Sequence, residues 1–319
     1  MEKTQLLAKQ RENKRRYGYM FALMTAILWG LWYVPGEVVW LLNPFFEMQT
    51  EMAEMVGSSV GMVITAVLIT GLNAITVSLA LIIWNGGLGK LGEIKRTVTE
   101  FKSSSKWYLL AGFLGGPIAI LGSFMAMGFI GGAFAAVAAL LYPVFGIVIS
   151  KVWYGEKISK RAVTGVPLIM LSGVVVYIFG LISNLTATGG KVAWLGYLGG
   201  AMAAAGWGTE GAVAGRALEV SEPDAGILTR FLGETLIWWI IIIPLLAVLG
   251  LPMFEYALQA FEPIVLLTLV MAGITFGFCY VNWYKSFPLV GVGRGQGVAN
   301  LYGVLAVIFL FLFGGQVPK

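Results

Sequence analysis

Three acidic residues lie inside long apolar stretches of this sequence, where a charge is costly: Glu37, Glu210 and Glu234. A carboxylate near the centre of a lipid bilayer costs at least about 2.5 to 3.5 kcal/mol, so such an acid usually faces a cavity or a partner. There it can bind an organic cation or carry a proton, because burial favours the protonated form. The sequence has no His, one Cys and no Asp inside an apolar stretch, so we expect no metal site, no cofactor and no enzyme.

The first apolar stretch places aromatic rings on the same helical face as its acid. Trp29, Tyr33 and Glu37 follow one another at intervals of four residues, and Trp32 flanks them. Pro35 removes one backbone hydrogen bond from this helix and should bend it. We predict a substrate or proton site here; the alternative is that the rings are ordinary packing and that Glu37 reaches water.

Trp207 and Glu210 form a second candidate pair, because a separation of three residues puts them on one face of a helix. The glycines around them leave room for a ligand. We expect Glu210 to face the same central space as Glu37, and we favour Glu210 as the binding acid. The alternative is a close-packing ridge in which Glu210 pairs with Arg216.

Arg230 and Glu234 are four residues apart on the next helix. At that spacing the two side chains reach each other, so they predict a structural ion pair or a gate.

Polar side chains also occur in the last two apolar stretches. Gln296 and Asn300 share one helical face, Tyr302 follows them, and Asn282 lies on the preceding helix. Such groups either bond across helices, for about 1 to 2 kcal/mol, or orient a ligand. The sequence leaves both readings open.

The composition identifies the elements that hold these residues. Of 319 residues, 58% are hydrophobic and 12% are charged, and the mean hydropathy is +0.85, whereas soluble domains carry about 25% charged residues. Apolar runs of about 20 residues predict membrane helices. Nine spans are predicted, at about residues 17–42, 56–84, 107–128, 131–153, 162–183, 192–215, 226–250, 263–285 and 295–314. Pro143 predicts a helix break within the fourth span.

The basic residues predict the orientation of these spans. If the N-terminus is cytoplasmic, all of the 21 Lys and Arg residues except Lys191 and Lys319 lie on the cytoplasmic side. The net charge of +5 is therefore an orientation signal and not a nucleic-acid footprint. We expect a multi-pass protein of a bacterial or archaeal plasma membrane, with residues 1–16 as a basic cytoplasmic tail.

An internal repeat is visible at two places. Residues 140–148 align without gaps with residues 300–308, which sets Tyr142 opposite Tyr302. In a second register, Trp29 in the first span aligns with Trp207 in the sixth. Two halves are predicted, at residues 17–183 and 184–319, and because each half is built on five helices they would lie inverted in the membrane.

Short motifs carry a resemblance to a known family. Trp29-Gly30, the Leu141-Tyr142-Pro143-Val144 stretch, Gly155-Glu156-Lys157 and the segment from Gly165 to Gly173 resemble the drug/metabolite transporter superfamily, in its ten-helix EamA-type branch. The resemblance implies two inverted five-helix repeats around a central cavity. It also implies export or uptake of small metabolites, amino acids, sugars, nucleotide sugars or amphipathic amines.

The sequence departs from that pattern at its end. In the register that sets Tyr142 opposite Tyr302, the second half stops opposite Ser159, just before the fifth helix of the first half begins. We therefore expect no tenth helix in this sequence, either because the chain is truncated relative to its natural length or, as the alternative, because the native protein has nine spans.

Together these features predict a secondary transporter that exports or imports a small metabolite or organic cation. The buried acids could couple this transport to protons. The alternatives are an uncoupled carrier of a neutral metabolite such as a sugar or amino acid, and a non-transporting scaffold subunit. The partners are then a small-molecule substrate, the lipid bilayer and protons; direction of transport and oligomeric state stay open.

Overall fold

Helices make up the fold in the part of the chain that the structure, a computed structural model, describes: residues 2–155, 160–186 and 192–314. No strand occurs in these ranges. Seven helical segments there are long and apolar enough to cross a membrane. The prediction of an all-α integral membrane protein is therefore confirmed.

Sixteen α-helices follow one another in the described ranges. They are α1 (Glu2–Val38), α2 (Phe45–Val56), α3 (Ser58–Gly87), α4 (Leu91–Thr99), α5 (Lys102–Phe113), α6 (Leu121–Ile130), α7 (Gly132–Ala138), α8 (Tyr142–Tyr154), α9 (Lys160–Thr186), α10 (Trp194–Ala217), α11 (Pro223–Leu236), α12 (Ile243–Val248), α13 (Met253–Gln259), α14 (Pro263–Val290), α15 (Val292–Ala299) and α16 (Tyr302–Gly314).

The seven membrane-crossing segments coincide with seven of the nine predicted spans. They are Gln5–Leu41, Ser58–Gly87, Lys102–Ile130, Gly132–Tyr154, Pro223–Val248, Pro263–Val290 and Val292–Gly314. Helices α9 and α10 occupy the positions of the fifth and sixth predicted spans. Among the motifs of the resemblance, Glu156 and Lys157 lie outside the described residues, as do residues 315–319.

Four of the crossing segments are assembled from shorter helices. A π-helical turn at Leu114–Ile120 joins α5 to α6, and another at Ile237–Ile242 joins α11 to α12. A 3-10 turn at Ala139–Leu141 separates α7 from α8, and a turn at residues 300–301 separates α15 from α16. Such irregular turns in membrane helices are often found at functional positions.

The first helix begins before the first predicted span, because residues 2–16 continue it on the N-terminal side. Pro35 lies within α1, which ends at Val38 and passes into a 3-10 turn at Val39–Leu41. Pro143 lies in the first turn of α8, where a proline removes no helical hydrogen bond.

Helix α1 is central: it packs against α14 and α16, while α10 packs against α6 and α8 and α3 packs against α14 and α11. Large apolar side chains on the outside of the bundle are exposed, for example Ile83 at 75% and Val248 at 84%. A lipid bilayer accounts for such a surface, since soluble proteins do not expose apolar area on this scale.

Polar residues mark the two ends of the bundle. At one end the short helices α2 and α13 meet, where the hydroxyl of Tyr256 donates a hydrogen bond to the carboxylate of Glu51. At the other end Lys90, after α3, and Lys285, on α14, lie beside the start of α11. We call the latter the basic end.

Candidate functional site

Five buried rings meet where α1, α8, α10, α14 and α16 come together. This central aromatic cluster consists of Trp29, Tyr142, Trp207, Trp283 and Tyr302, and none of the five side chains has exposed surface. Trp29 is its centre: it stacks on Tyr302 with ring centroids 4.5 Å apart and meets Trp207 edge-on at 4.6 Å. The sequence predicted three of these residues, Trp29, Trp207 and Tyr302, as site candidates.

The breaks in the helices position two rings of this cluster. Tyr142 and Tyr302 are the first residues of α8 and α16, each directly after an irregular turn. The hydroxyl of Tyr142 donates to the backbone carbonyl of Gln296 at 2.7 Å, and that of Tyr302 donates to the carbonyl of Ala136 at 3.1 Å. Both rings are therefore fixed by backbone acceptors across the bundle.

Glycine makes the close approach of α8 to α10 possible. A methyl group built on Gly208 would lie 2.3 Å from the backbone oxygen of Tyr142, closer than any side-chain carbon can come. The same approach places Gln296 beside α10, where its Nε2 donates to the carbonyl of Gly208 at 3.3 Å.

Several polar atoms around the central aromatic cluster have no hydrogen-bond partner among the described residues. They are the indole nitrogens of Trp29, Trp207 and Trp283 and the side-chain oxygen of Gln296, all of them buried. A buried donor or acceptor without a partner costs about 1 to 3 kcal/mol, so a group of four needs an explanation.

Two further residues predicted on the first helix lie next to this cluster. Trp32 stacks on Phe276, with ring centroids 4.2 Å apart, and its indole nitrogen donates to Oδ1 of Asn73 at 3.3 Å. The hydroxyl of Tyr33 is 3.2 Å from that of Ser123. Both side chains are buried and both are hydrogen-bonded within the protein.

Glu210, Arg230 and Glu234 form a fully buried group of charges, which we call the buried triad. Nε of Arg230 donates to Oε1 of Glu210 at 2.7 Å, and Nη1 of Arg230 donates to Oε2 of Glu234. The hydroxyls of Tyr280 and Tyr284, one turn apart on α14, donate to Glu210 at 2.8 and 3.2 Å. Sequence reasoning missed Tyr284, although Tyr280 and Tyr284 continue an aromatic stripe at helical spacing.

The third crossing segment leaves room for the buried triad. A methyl group on Gly115 would lie 1.8 Å from Nη2 of Arg230 and 2.3 Å from Oε2 of Glu210. A methyl group on Gly116 would lie 2.5 Å from the carboxyl carbon of Glu234. Both glycines belong to the π-helical turn at Leu114–Ile120, so this irregular turn packs directly against the buried triad.

The alternative pairing that the sequence offered for Glu210 is wrong. Arg216 does not pair with Glu210; it pairs with Glu219 at 3.1 Å, on the exposed surface. Glu37 is half-buried, and its carboxylate lies against Gly132, where an added methyl group would come within 2.9 Å of Oε2. Spacing along one helix could not show which neighbouring helix each acid faces.

Neither asparagine of the prediction is hydrogen-bonded to the buried triad among the described residues. Nδ2 of Asn282 donates to the carbonyl of Phe278, one turn earlier on its own helix, at 2.7 Å. Asn300 follows the end of α15 and is half-buried.

A second cluster of charges lies at the basic end, and it corrects the expectation that no aspartate is buried. Asp224, in the first turn of α11, has no exposed surface. Its carboxylate is 2.5 Å from Nζ of Lys90 and 2.8 Å from Nζ of Lys285, and the indole of Trp84 donates to it at 3.0 Å. Lys90 also pairs with Glu222 at 2.7 Å.

The helix start that carries Asp224 is visible in the sequence, although its lysine partners are not. Glu222-Pro223-Asp224 has the composition of a helix start, and Glu222 accepts a hydrogen bond from the backbone nitrogen of Ala225 at 2.9 Å. Burial alone would lower the pKa of Lys90, but hydrogen bonds to Asp224 and Glu222 and their negative charges outweigh it, so the pKa of Lys90 is raised.

A cavity of about 570 Å³ lies away from the centre, on the outside of the bundle between α3, α13 and α14. Its walls are almost entirely apolar and include Leu79, Ile83, Leu266 and Ile274. The residues predicted to line a central cavity instead pack against one another, as the rings of the central aromatic cluster do.

The family resemblance is supported by comparison with known proteins. Residues 53–178 match the EamA-like transporter family, which is part of the drug/metabolite transporter superfamily, and the resemblance drawn from the sequence is confirmed there. A solved structure titled "Crystal structure of protein" is similar in fold, with a TM-score of 0.56 and 17% identity over 95% of this chain and 89% of that chain. Among curated proteins, no sequence matches this one.

Proposed function

We propose that this EamA-like membrane protein is a secondary transporter that carries a small, neutral, polar metabolite through the central aromatic cluster in exchange with or together with protons. The family match points to a membrane transporter of small solutes rather than to an enzyme. The proposal adds the substrate class, the site and the coupling.

The single observation that carries this substrate class is the set of unpartnered polar atoms around Trp29. Three indole N–H groups, those of Trp29, Trp207 and Trp283, can only donate hydrogen bonds, whereas the side-chain oxygen of Gln296 can only accept one. A solute with several hydroxyl groups would satisfy all of them, because its oxygens accept from the indoles and one of its O–H groups donates to Gln296. The ring faces beside them would cover its apolar surface.

The buried triad argues against a substrate cation that pairs with Glu210. That carboxylate already accepts hydrogen bonds from Arg230, Tyr280 and Tyr284, so a ligand would have to displace charged and hydroxyl donors to reach it. The ring faces of the central aromatic cluster still favour an organic cation through cation–π attraction, and this is the second candidate.

Transport through this cluster requires that the rings separate, because they now pack against one another. Two features support an arrangement of inverted halves that could rock about this contact. Trp29 touches Trp207, its equivalent in the predicted repeat, and Tyr142 lies 6.0 Å from its own equivalent, Tyr302. Contacts between equivalent residues are expected where a two-fold axis passes through a molecule.

The proposal is tested by a stabilisation screen of the purified protein followed by uptake into liposomes that contain only this protein. The screen compares neutral polyols and sugars, neutral amino acids and quaternary amines. We expect a neutral polar compound to raise the melting temperature and to be taken up at a saturable rate.

Tryptophan-to-phenylalanine variants then test the site, because they keep a ring and remove the N–H. Trp29→Phe and Trp207→Phe should each weaken binding of the stabilising compound about tenfold, the loss expected for one hydrogen bond of about 1.4 kcal/mol. Trp153→Phe, at a ring that is 46% exposed, is the control and should change nothing. If quaternary amines stabilise the protein and the variants bind them equally well, the organic-cation candidate replaces this one.

A further inference from the structure

We propose that the two acids of the buried triad have different roles: Glu234 holds the exchangeable proton, and Glu210 is the permanent counter-ion of Arg230. This inference rests on the proposed function for its place in transport. It reverses the preference for Glu210 that follows from the sequence.

The charges of the buried triad do not balance if both acids are ionised. Arg230 contributes one positive charge, whereas Glu210 and Glu234 would contribute two negative ones, and none of the three side chains is exposed. A net charge in a fully buried group is strongly unfavourable, so one of the two carboxyl groups keeps a proton.

The hydrogen bonds identify Glu210 as the ionised member. Its Oε1 accepts from Nε of Arg230 and from the hydroxyl of Tyr284, and its Oε2 accepts from the hydroxyl of Tyr280. The orientation of Tyr280 is consistent with this, because its own oxygen lies 3.4 Å from Nη2 of Arg230, which can only donate. Donors therefore face both oxygens, and hydrogen bonds of this kind favour the charged form.

Glu234 has fewer hydrogen-bond donors around its carboxyl group than Glu210 has. One oxygen, Oε2, accepts from Arg230, but Oε1 makes no hydrogen bond of ordinary geometry within the described residues. The polar group near it is the indole of Trp238, and the charges that act on it are Arg230 on its own helix and Glu210 on α10.

Among the described residues no other charged group acts on Glu234. Gly116, from the third crossing segment, lies against its carboxyl group. On α3, Ser78 hydrogen-bonds Thr235, the next residue along α11, over 2.9 Å. In the arrangement in which the rings of the central aromatic cluster are in contact, the proton is thus held on Oε1 of Glu234.

The same geometry links this proton to the substrate site. Trp207, in the central aromatic cluster, and Glu210 lie three residues apart on α10, so a displacement of α10 by the solute moves the carboxylate that neutralises Arg230. When Glu210 moves away, the positive charge of Arg230 acts on Glu234 alone. The O–H bond of Glu234 then breaks, its electron pair stays on the carboxylate, and the proton passes to water on the side to which the site has opened.

The first test needs no substrate and uses the whole protein in lipid nanodiscs at neutral pH. Infrared spectroscopy should show the carbonyl stretch of a buried protonated carboxyl group in the wild type and in Glu37→Gln, but not in Glu234→Gln. Absence of this band from the wild type would overturn the proposal.

Melting temperatures decide which acid carries the proton. Glu234→Gln replaces a neutral acid by a neutral amide and should melt close to the wild type, within about 2 °C. Glu210→Gln places an NH₂ group against donors and should melt lower by about 5 °C or more. If Glu234→Gln is destabilised as much as or more than Glu210→Gln, the proton is not on Glu234.

Transport then separates this inference from the proposed function. In liposomes the uptake rate of the wild type should vary with external pH, and that of Glu234→Gln should not. If the infrared band and the melting temperatures behave as expected but wild-type uptake is independent of pH, the proton assignment stands and the coupling in the proposed function fails.

Discussion

The hydroxyl of Tyr142 donates a hydrogen bond of 2.7 Å to the backbone carbonyl of Gln296, and this bond joins the two halves of the predicted repeat. An equivalent bond of 3.1 Å joins the hydroxyl of Tyr302 to the carbonyl of Ala136. In the register of the repeat, Tyr302 corresponds to Tyr142 and Ala136 corresponds to Gln296. The backbone repeats in the same register, because Gly131 and Gly291 both separate two helices, with φ/ψ angles of 80°/156° and 89°/155°. These correspondences support the predicted repeat and extend its register back to Gly131 and Gly291.

The paired glycines give the first prediction. Alanine at Gly131 or at Gly291 should lower the free energy of unfolding by about 1 to 3 kcal/mol each, because a residue with a Cβ is strained at these angles. Thermal unfolding in detergent measures the loss. Gly297→Ala, in α15 with open space around it, is the control and should be neutral or slightly stabilising. A variant at Gly291 that melts like the wild type would show that the two breaks are not equivalent.

The π-helical turn beside the buried triad gives the second prediction. Gly115→Ala should destabilise the protein by about 1 to 3 kcal/mol or more, since the new methyl group overlaps Nη2 of Arg230 and Oε2 of Glu210. Gly92→Ala on α4, where no atom lies within 4 Å of the added carbon, provides the comparison. Equal melting temperatures for the two variants would mean that the turn does not pack against the charges as described.

The charges at the basic end give a prediction about pH. The pKa of Lys90 is raised in the folded protein, so its pairing stabilises the fold fully below the ordinary value of 10.5 and is lost as pH rises through the folded-state pKa. Lys90→Gln should therefore lower the melting temperature at neutral pH, by the equivalent of about 1 kcal/mol or less. The difference from the wild type should shrink above pH 10.5.

Lys95→Gln is the control for this pH series, because Lys95 is an exposed residue on α4 close by in the sequence. It should follow the wild-type curve at every pH. A Lys90→Gln curve parallel to that of the wild type through the alkaline range would contradict the role of the lysine charge.

The features that the sequence predicted are those that depend on one helix at a time. Apolar length predicted the helical membrane fold, and a spacing of four residues was enough to bring Arg230 and Glu234 together. The partner of Glu210 could not be found in this way, because Arg230 lies 20 residues away on a neighbouring helix, and Arg216 was the nearer candidate along the chain.

The buried aspartate shows a second limit of the sequence. Asp224 looked like a loop residue because it follows Glu222-Pro223 at the edge of an apolar run. It is buried by lysines from two other segments, Lys90 after α3 and Lys285 on α14. Charges that neutralise one another across helices do not appear in any local pattern, so a reading of apolar runs assigns all of them to the water phase.

The last prediction concerns Arg230, which holds both acids of the buried triad. Arg230→Met keeps much of the side-chain volume but removes the charge that neutralises Glu210 and the donors that reach both carboxylates. Removal of one partner of a buried ion pair costs about 3 to 5 kcal/mol. Glu234→Gln should cost less than about 1 kcal/mol, because Arg230 keeps Glu210 as its counter-ion. The measurement is the melting temperature of both variants at neutral pH.

Arg216→Met is the matched control, since it removes an arginine whose partner, Glu219, is exposed. This surface ion pair should contribute almost nothing to the stability of the protein. The expected order of melting temperatures is therefore Arg216→Met close to the wild type, Glu234→Gln slightly below it, and Arg230→Met far below both. Mild and equal effects of all three variants would show that water reaches the guanidinium. In that case neither the buried ion pair nor the proton on Glu234 could exist as described, because both depend on a charge that only the protein neutralises.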